Sequence, residues 1–194
     1  MTKLPEEQLW TLLLQGDISA FEQLYDRYSL ILYRYASSIS GDAHLVEDCI
    51  QELFTRLWEK RKTISVTSSV RFYLLSSIRR MVIRKLQQQN KRSQYEKGSD
   101  GFIFEGSLSP EHGYILQEED NRLQHILLNA INALPVNQRE IMYLRYYQSL
   151  SFDEIASLTG VEKKTAYNLV FIALRNLKKK LGHLFHLLFA VHFF

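Results

Sequence analysis

Apolar side chains recur at three- and four-residue spacing through most of the chain, and no stretch sustains the strict alternation of a half-buried strand. That period belongs to amphipathic helices, which bury one stripe and show the other face to water. The chain is therefore expected to be almost entirely α-helical. Helices are expected from Glu6 to Leu14 and from Ser19 to Ile39, the second with a stripe of Phe21, Leu24, Tyr25, Tyr28, Ile31, Leu32 and Tyr35. Gly16-Asp17 and Gly41-Asp42 punctuate them; glycine suits a helix stop and aspartate caps the helix that follows. A third helix should run from about Ala43 to Lys60. Val46, Ile50, Leu53, Phe54, Leu57 and Trp58 line one side of it, and Glu47, Asp48, Gln51, Glu52 and Arg56 are displayed beside them.

Serine, threonine and β-branched residues break the period from Thr63 to Ser69, which reads as a loop. Helical spacing returns at Phe72, Tyr73, Leu75, Ile78, Val82 and Leu86, surrounded by Arg71, Arg79, Arg80, Arg84 and Lys85: an amphipathic helix with a basic face. From Gln87 to about Pro110 the sequence turns polar, with three glycines and no sustained period, and reads as a flexible linker. Beyond it, helices are expected from Leu123 to Leu134, where Pro135 intervenes, and from Gln138 to Tyr147. A length of 194 residues accommodates two small helical cores on either side of such a linker. The expected division is 8–90, a linker at 91–114, a second domain at 115–182, and an apolar tail at 183–194.

Ser151-Phe152-Asp153-Glu154-Ile155 has the form of a capping box, in which Ser151 accepts from the Glu154 N–H and Glu154 reaches back; Leu150 and Ile155 supply the hydrophobic staple. A short helix then turns Ile155, Ala156 and Leu158 inward and stops at Gly160, and Val161 plugs the gap to the next helix. That helix, from about Lys163 to Leu181, should bury Ala166, Leu169, Val170, Ala173, Leu174 and Leu177 and show Lys163, Lys164, Tyr167, Asn168 and Phe171. Ala156 followed by Gly160 permits the close crossing of a helix-turn-helix whose second helix enters a major groove. Lys163 and Lys164 suit phosphates, Thr165 a cap or backbone contact, Asn168 an adenine edge, and Tyr167 either packing or DNA. The same pattern also suits a helical hairpin that binds nothing.

The net charge is only +3, but acidic residues crowd between Glu96 and Asp120, leaving basic clusters on the helix from Arg71 and again from Lys163 to Lys180. Two basic clusters fit a polyanion gripped at two places, or simply two solvated faces. Cys49 is the only cysteine, which excludes an intrachain disulfide and reads as a small buried side chain, and Met1–Glu7 carries no secretion signal, so a cytoplasmic protein is expected. The tail from Leu184 to Phe194 is short of the ~20 residues that span a bilayer and reads as a docking element. His183 and His186 have no Cys or acidic neighbour to complete a metal site. Without a Gly-rich phosphate loop, a ligand cluster or a nucleophile–base pair, the expectation is no catalysis, no cofactor and no small-molecule substrate.

Two runs together resemble a known family. Val46-Glu47-Asp48 through Gln51-Glu52-Leu53-Phe54 to Leu57-Trp58 is similar to the region 2 signature of extracytoplasmic-function sigma factors. Leu134-Pro135 through Gln138-Arg139-Glu140 to Ser151-Phe152-Asp153-Glu154-Ile155-Ala156 resembles their region 4, and Gly16-Asp17 with Ala20-Phe21 and Leu24-Tyr25 resembles how their first region opens. The resemblance implies two domains: a region 2 bundle that binds core RNA polymerase and a region 4 helix-turn-helix. Asp48, Gln51, Glu52, Phe54 and Trp58 would bind the β′ clamp helices. The loop from Thr63 to Ser69 and the helix from Arg71 would meet the −10 element, with Tyr73 as the aromatic and Arg79, Arg80 and Arg84 on phosphates. Lys163, Lys164, Thr165, Tyr167 and Asn168 would meet the −35 element, and the second domain would touch the β flap. An anti-sigma factor would be a further partner. Departures are Arg80 and Arg84, where relatives often carry Asn and Asp, and Leu169 and Ile172, where they are commonly basic; the tail beyond Leu181 matches no motif. The alternative is a dimeric helix-turn-helix regulator independent of polymerase, which gives the Val46–Trp58 run no task.

Overall fold

A computed structural model describes residues 4–64, 69–92 and 118–182. The chain divides into two compact units between Asp100 and Gly101. The described residues form helices, turns and bends and contain no strand, so the fold is all-α.

The first unit holds α1 (Glu6–Gln15), α2 (Ile18–Ile39), α3 (Ala43–Glu59) and α4 (Val70–Arg92). Gly16 ends α1 at φ 93°, a conformation that costs a residue with a Cβ about 1–2 kcal/mol. Asp17 then caps α2 by accepting from the Ala20 N–H at 2.8 Å, and Asp42 caps α3 by accepting from Leu45 at 3.1 Å. Helix α2 packs against all three others. Its buried column of Leu24, Tyr28, Leu32 and Tyr35 meets Trp10 and Leu13 of α1, Leu53, Phe54 and Leu57 of α3, and Leu74, Ile78 and Val82 of α4 in one core. Cys49 is fully buried there, and burial pushes its thiol up, away from the reactive thiolate.

The expected stripe on α2 needs one correction: Tyr25 is 40% exposed, because it lies one position beyond the column that faces the core. Helix α4 also continues through Gln87-Gln88-Gln89-Asn90 to Arg92, where the sequence pattern ends it at Leu86. Glutamine, lysine and arginine are good helix formers, and no glycine or proline intervenes before Gly98. The remainder of the expected linker, the middle of the loop at 65–68, and the tail with His183 and His186 lie outside the described residues.

The second unit holds α5 (Glu118–Asn132), α6 (Val136–Met142), a π-helical turn (Tyr143–Tyr147), α7 (Phe152–Thr159) and α8 (Lys163–Leu181). α5 starts five residues before the expected Leu123. Helix α8 packs on α5, α6 and α7. Gln138 of α6, buried, accepts from Asn176 Nδ2 of α8 at 3.4 Å. The single helix expected from Gln138 to Tyr147 is instead α6 followed by the π turn, which closes where the Gln148 N–H donates to Tyr143 O at 3.1 Å; the Gln148 side chain donates to the Tyr143 hydroxyl at 2.8 Å.

Ser149 follows at φ 53°, a left-handed position held by a residue with a Cβ. Ser149→Gly is expected to stabilise the second unit by at most about 1 kcal/mol, the relieved strain being partly offset by a more flexible unfolded chain. Calorimetry should show its melting midpoint rise by a few degrees, while Ser149→Val lowers it.

Candidate functional site

Three surfaces carry the residues singled out in the sequence. The first is the outer face of α3. Asp48 and Gln51 are exposed, while Glu52, half-buried, pairs with Arg56 one turn on and with Lys85 Nζ of α4 at 3.3 Å. Phe54 is only 2% exposed and lies against Phe21 and Tyr25, with ring centroids 6.0 and 4.8 Å apart. It belongs to the core stripe with Leu53 and Leu57 and offers no area to a partner, a correction to its place among the expected contacts. Trp58 is half-buried: Phe21 tilts against it at 5.3 Å and the Arg61 guanidinium stacks over it at 4.2 Å. Arg61 also donates to Trp58 O at 2.6 Å, so the indole is held in one orientation with an edge left to solvent. The residues that frame it, Phe21 and Arg61, were missed as site residues. The signal for Phe21 was a second apolar row on α2, Ile18-Phe21-Tyr25, beside the buried one; nothing in the sequence marked Arg61. A rigid, half-covered tryptophan next to exposed polar groups is the composition of a protein-binding hot spot.

The second surface is α4. Tyr73, Arg80 and Arg84 share one helical row, with both arginines exposed. Burial pushes the Tyr73 phenol up while Arg80 nearby pulls the other way, so the ring stays neutral at ordinary pH. Arg79 is half-buried. Arg71 departs from this row. Its backbone N–H donates to Glu6 Oε1 of α1 at 3.1 Å, and it lies beside Tyr28, whose phenol is pushed up by burial and by Glu6. Of the five residues on α4 expected to face DNA, Tyr73, Arg80 and Arg84 share a row, while the half-buried Arg71 side chain lies beside Tyr28.

The third surface is the α7–α8 pair. The capping box is complete: Ser151 Oγ accepts from the Glu154 N–H at 3.2 Å and the Glu154 carboxylate from the Ser151 N–H at 2.8 Å. Gly160 adopts φ 78° at the turn. Lys163, Lys164, Thr165, Tyr167 and Asn168 are all exposed at the start of α8, with Tyr167 58% and Phe171 59% exposed. Lys163 pairs with Asp153 of α7 at 2.8 Å, both well exposed. Tyr167 leans on Phe152 at 5.4 Å, and Phe152 lies under the Arg145 guanidinium at 5.0 Å. Arg145, missed in the sequence, donates to Leu150 O at 2.9 Å and stands at the entry to α7 because the π turn places it there. Leu169 and Leu174, expected to be buried, are only half-buried, as is Ile172.

Among the described residues no group of three or more His, Cys, Asp or Glu is placed to hold a metal, and no helix is long and apolar enough to cross a membrane.

Comparison with known proteins adds an independent finding. Residues 24–92 match the family model of sigma-70 region 2, and residues 124–177 match that of sigma-70 region 4. The chain is 29% identical over 171 residues to the ECF RNA polymerase sigma factor SigL of Mycobacterium tuberculosis, covering 87% of this chain and 93% of SigL. It is 25% identical over 158 residues to SigM of Bacillus subtilis, also an ECF RNA polymerase sigma factor, covering 81% and 92%. Among solved structures, CnrH in complex with the cytosolic domain of CnrY has a TM-score of 0.56 at 18% identity, covering 91% of this chain and 96% of CnrH. RpoE of Bartonella quintana, solved with the anti-sigma factor NepR, has a TM-score of 0.56 at 21% identity, covering 84% and 97%. At those identities the two structures speak for the fold.

Proposed function

The chain belongs to the extracytoplasmic-function sigma factors, which bind core RNA polymerase and direct it to promoters, and on that premise we propose how its surfaces divide the work. The first unit binds the polymerase β′ clamp helices through Asp48, Gln51, Glu52 and Trp58, with Phe21 and Arg61 holding Trp58 in place. Its α4 takes the opened −10 strand, Tyr73 serving as the stacking platform and Arg80 and Arg84 as phosphate contacts. The second unit lays α8 into the −35 major groove. Lys163, Lys164 and Thr165 meet the backbone, Asn168 and Tyr167 meet base edges, and the same unit touches the β flap. Neither unit has to bind tightly alone, since joining them makes the second contact intramolecular.

What carries this reading is the α3 face, where exposed polar side chains adjoin a clamped, half-exposed Trp58. The protein acts in the cytoplasm, where transcription occurs, and without catalysis of its own. An anti-sigma factor is its natural regulator; the anti-sigma factor NepR in the RpoE complex supports that. The test is reconstituted transcription. Added to core polymerase, the chain should give initiation at promoters mapped by 5′-end sequencing after overproduction, and no specific transcript would defeat the reading.

The exposed lysines give a quantitative check. Lys164→Ala in the holoenzyme should lower the slope of log affinity against log salt by about one for a mapped promoter fragment. Lys163→Ala should change it less, because Asp153 already neutralises part of that charge. Equal slopes for both variants and wild type would remove the start of α8 from the DNA interface.

A further inference from the structure

We propose that Glu6 of α1 is a positioning residue for promoter opening: with Trp10, it fixes the first turn of α4 and thereby the placement of Tyr73. The inference rests on the reading of α4 as the helix that takes the opened strand.

The first N–H groups of any helix lack partners within it. At α4, Ser69 Oγ accepts from the Phe72 N–H at 3.1 Å, a local cap of the ordinary kind. The Arg71 N–H is met from 65 residues away, by Glu6 Oε1 at 3.1 Å. A carboxylate there is doubly suited, since it accepts the bond and faces the positive end of the helix dipole. One turn further along α1, Trp10 sets its ring edge-on to Tyr73, centroids 5.2 Å apart at 64°. Two side chains on one face of α1 thus hold the backbone and the aromatic ring of the same turn of α4. Helix α1 is itself anchored, because Arg27 of α2 donates to Leu4 O at 3.1 Å, next to the start of α1.

Ser69 and water would keep α4 helical without Glu6. What the long-range bond adds is a fixed origin for the turn carrying Tyr73, immediately after Ser69. A stacking platform is effective only when its geometry is set in advance.

Holoenzyme rebuilt from core polymerase and the full chain tests this on a mapped promoter carrying 2-aminopurine in its −10 non-template strand. Glu6→Ala removes the acceptor, Glu6→Asp withdraws it by one methylene, and Glu6→Gln keeps an oxygen in place. The first two should open the promoter about tenfold more slowly, the worth of one charge-assisted hydrogen bond, and Glu6→Gln should come within about threefold of wild type. All three should bind core polymerase as wild type does. Wild-type opening rates in Glu6→Ala and Glu6→Asp would overturn the inference. So would opening losses in all three that merely track lost polymerase binding and a lowered melting midpoint, since that pattern means a structural role only. If the wild-type holoenzyme leaves the promoter closed, the assignment of α4 itself fails, and the inference fails with it.

Discussion

Replacing Asp48 and Gln51 together by lysine is expected to weaken core polymerase binding by at least about 100-fold while the first unit melts within a few degrees of wild type. Both side chains project from α3 into solvent, so the fold loses little when they change. An interface built on them gains two misplaced charges, and like or unpaired charge at a contact costs several kcal/mol. Glu52 is the wrong residue for this experiment. It pairs with Arg56 and Lys85, so reversing it would loosen α3 from α4 and mix two effects. Titrating a labelled chain with core polymerase gives the affinity and calorimetry gives the stability. Unchanged affinity would take α3 out of the interface.

Phe54→Ala should behave in the opposite way. The ring is buried against Phe21 and Tyr25, and truncating such a phenylalanine costs about 3–5 kcal/mol, a large part of what a small domain possesses. The first unit should lose most of its cooperative melting, with polymerase binding falling in proportion. The second unit is a separate compact body and should melt as before. Binding lost while the first unit still melts normally would mean that Phe54 touches the polymerase after all.

The contrast between Phe54 and Trp58 shows how far the sequence could be read. Four apart, they stand in one column of α3, and periodicity assigns both to its apolar side. Which of them meets solvent depends on α2, whose Phe21 and Tyr25 both cover Phe54, while Phe21 borders Trp58. The helix-turn-helix was legible because its signals are local: the Ser151–Glu154 box and a glycine where φ must be positive. The end of α4 was not, since Gln87 to Arg92 are polar like a linker, yet all but Asn90 are good helix formers. The π turn at Tyr143–Tyr147 leaves the apolar spacing almost unchanged, yet it sets Arg145 over Phe152. Arg71 carries the same charge as the exposed Arg80 and Arg84, but its side chain lies beside Tyr28 and its backbone N–H meets Glu6. Its bond to Glu6 joins residues too distant in sequence for any pattern to pair.

The most direct measurement is a photocrosslink from α3. A photoreactive phenylalanine analogue in place of Gln51, irradiated in holoenzyme that is active on a mapped promoter, should attach to β′ within the clamp helices. Crosslinks to another subunit alone, or active holoenzyme with none from this position, would contradict the assignment of this face to core polymerase.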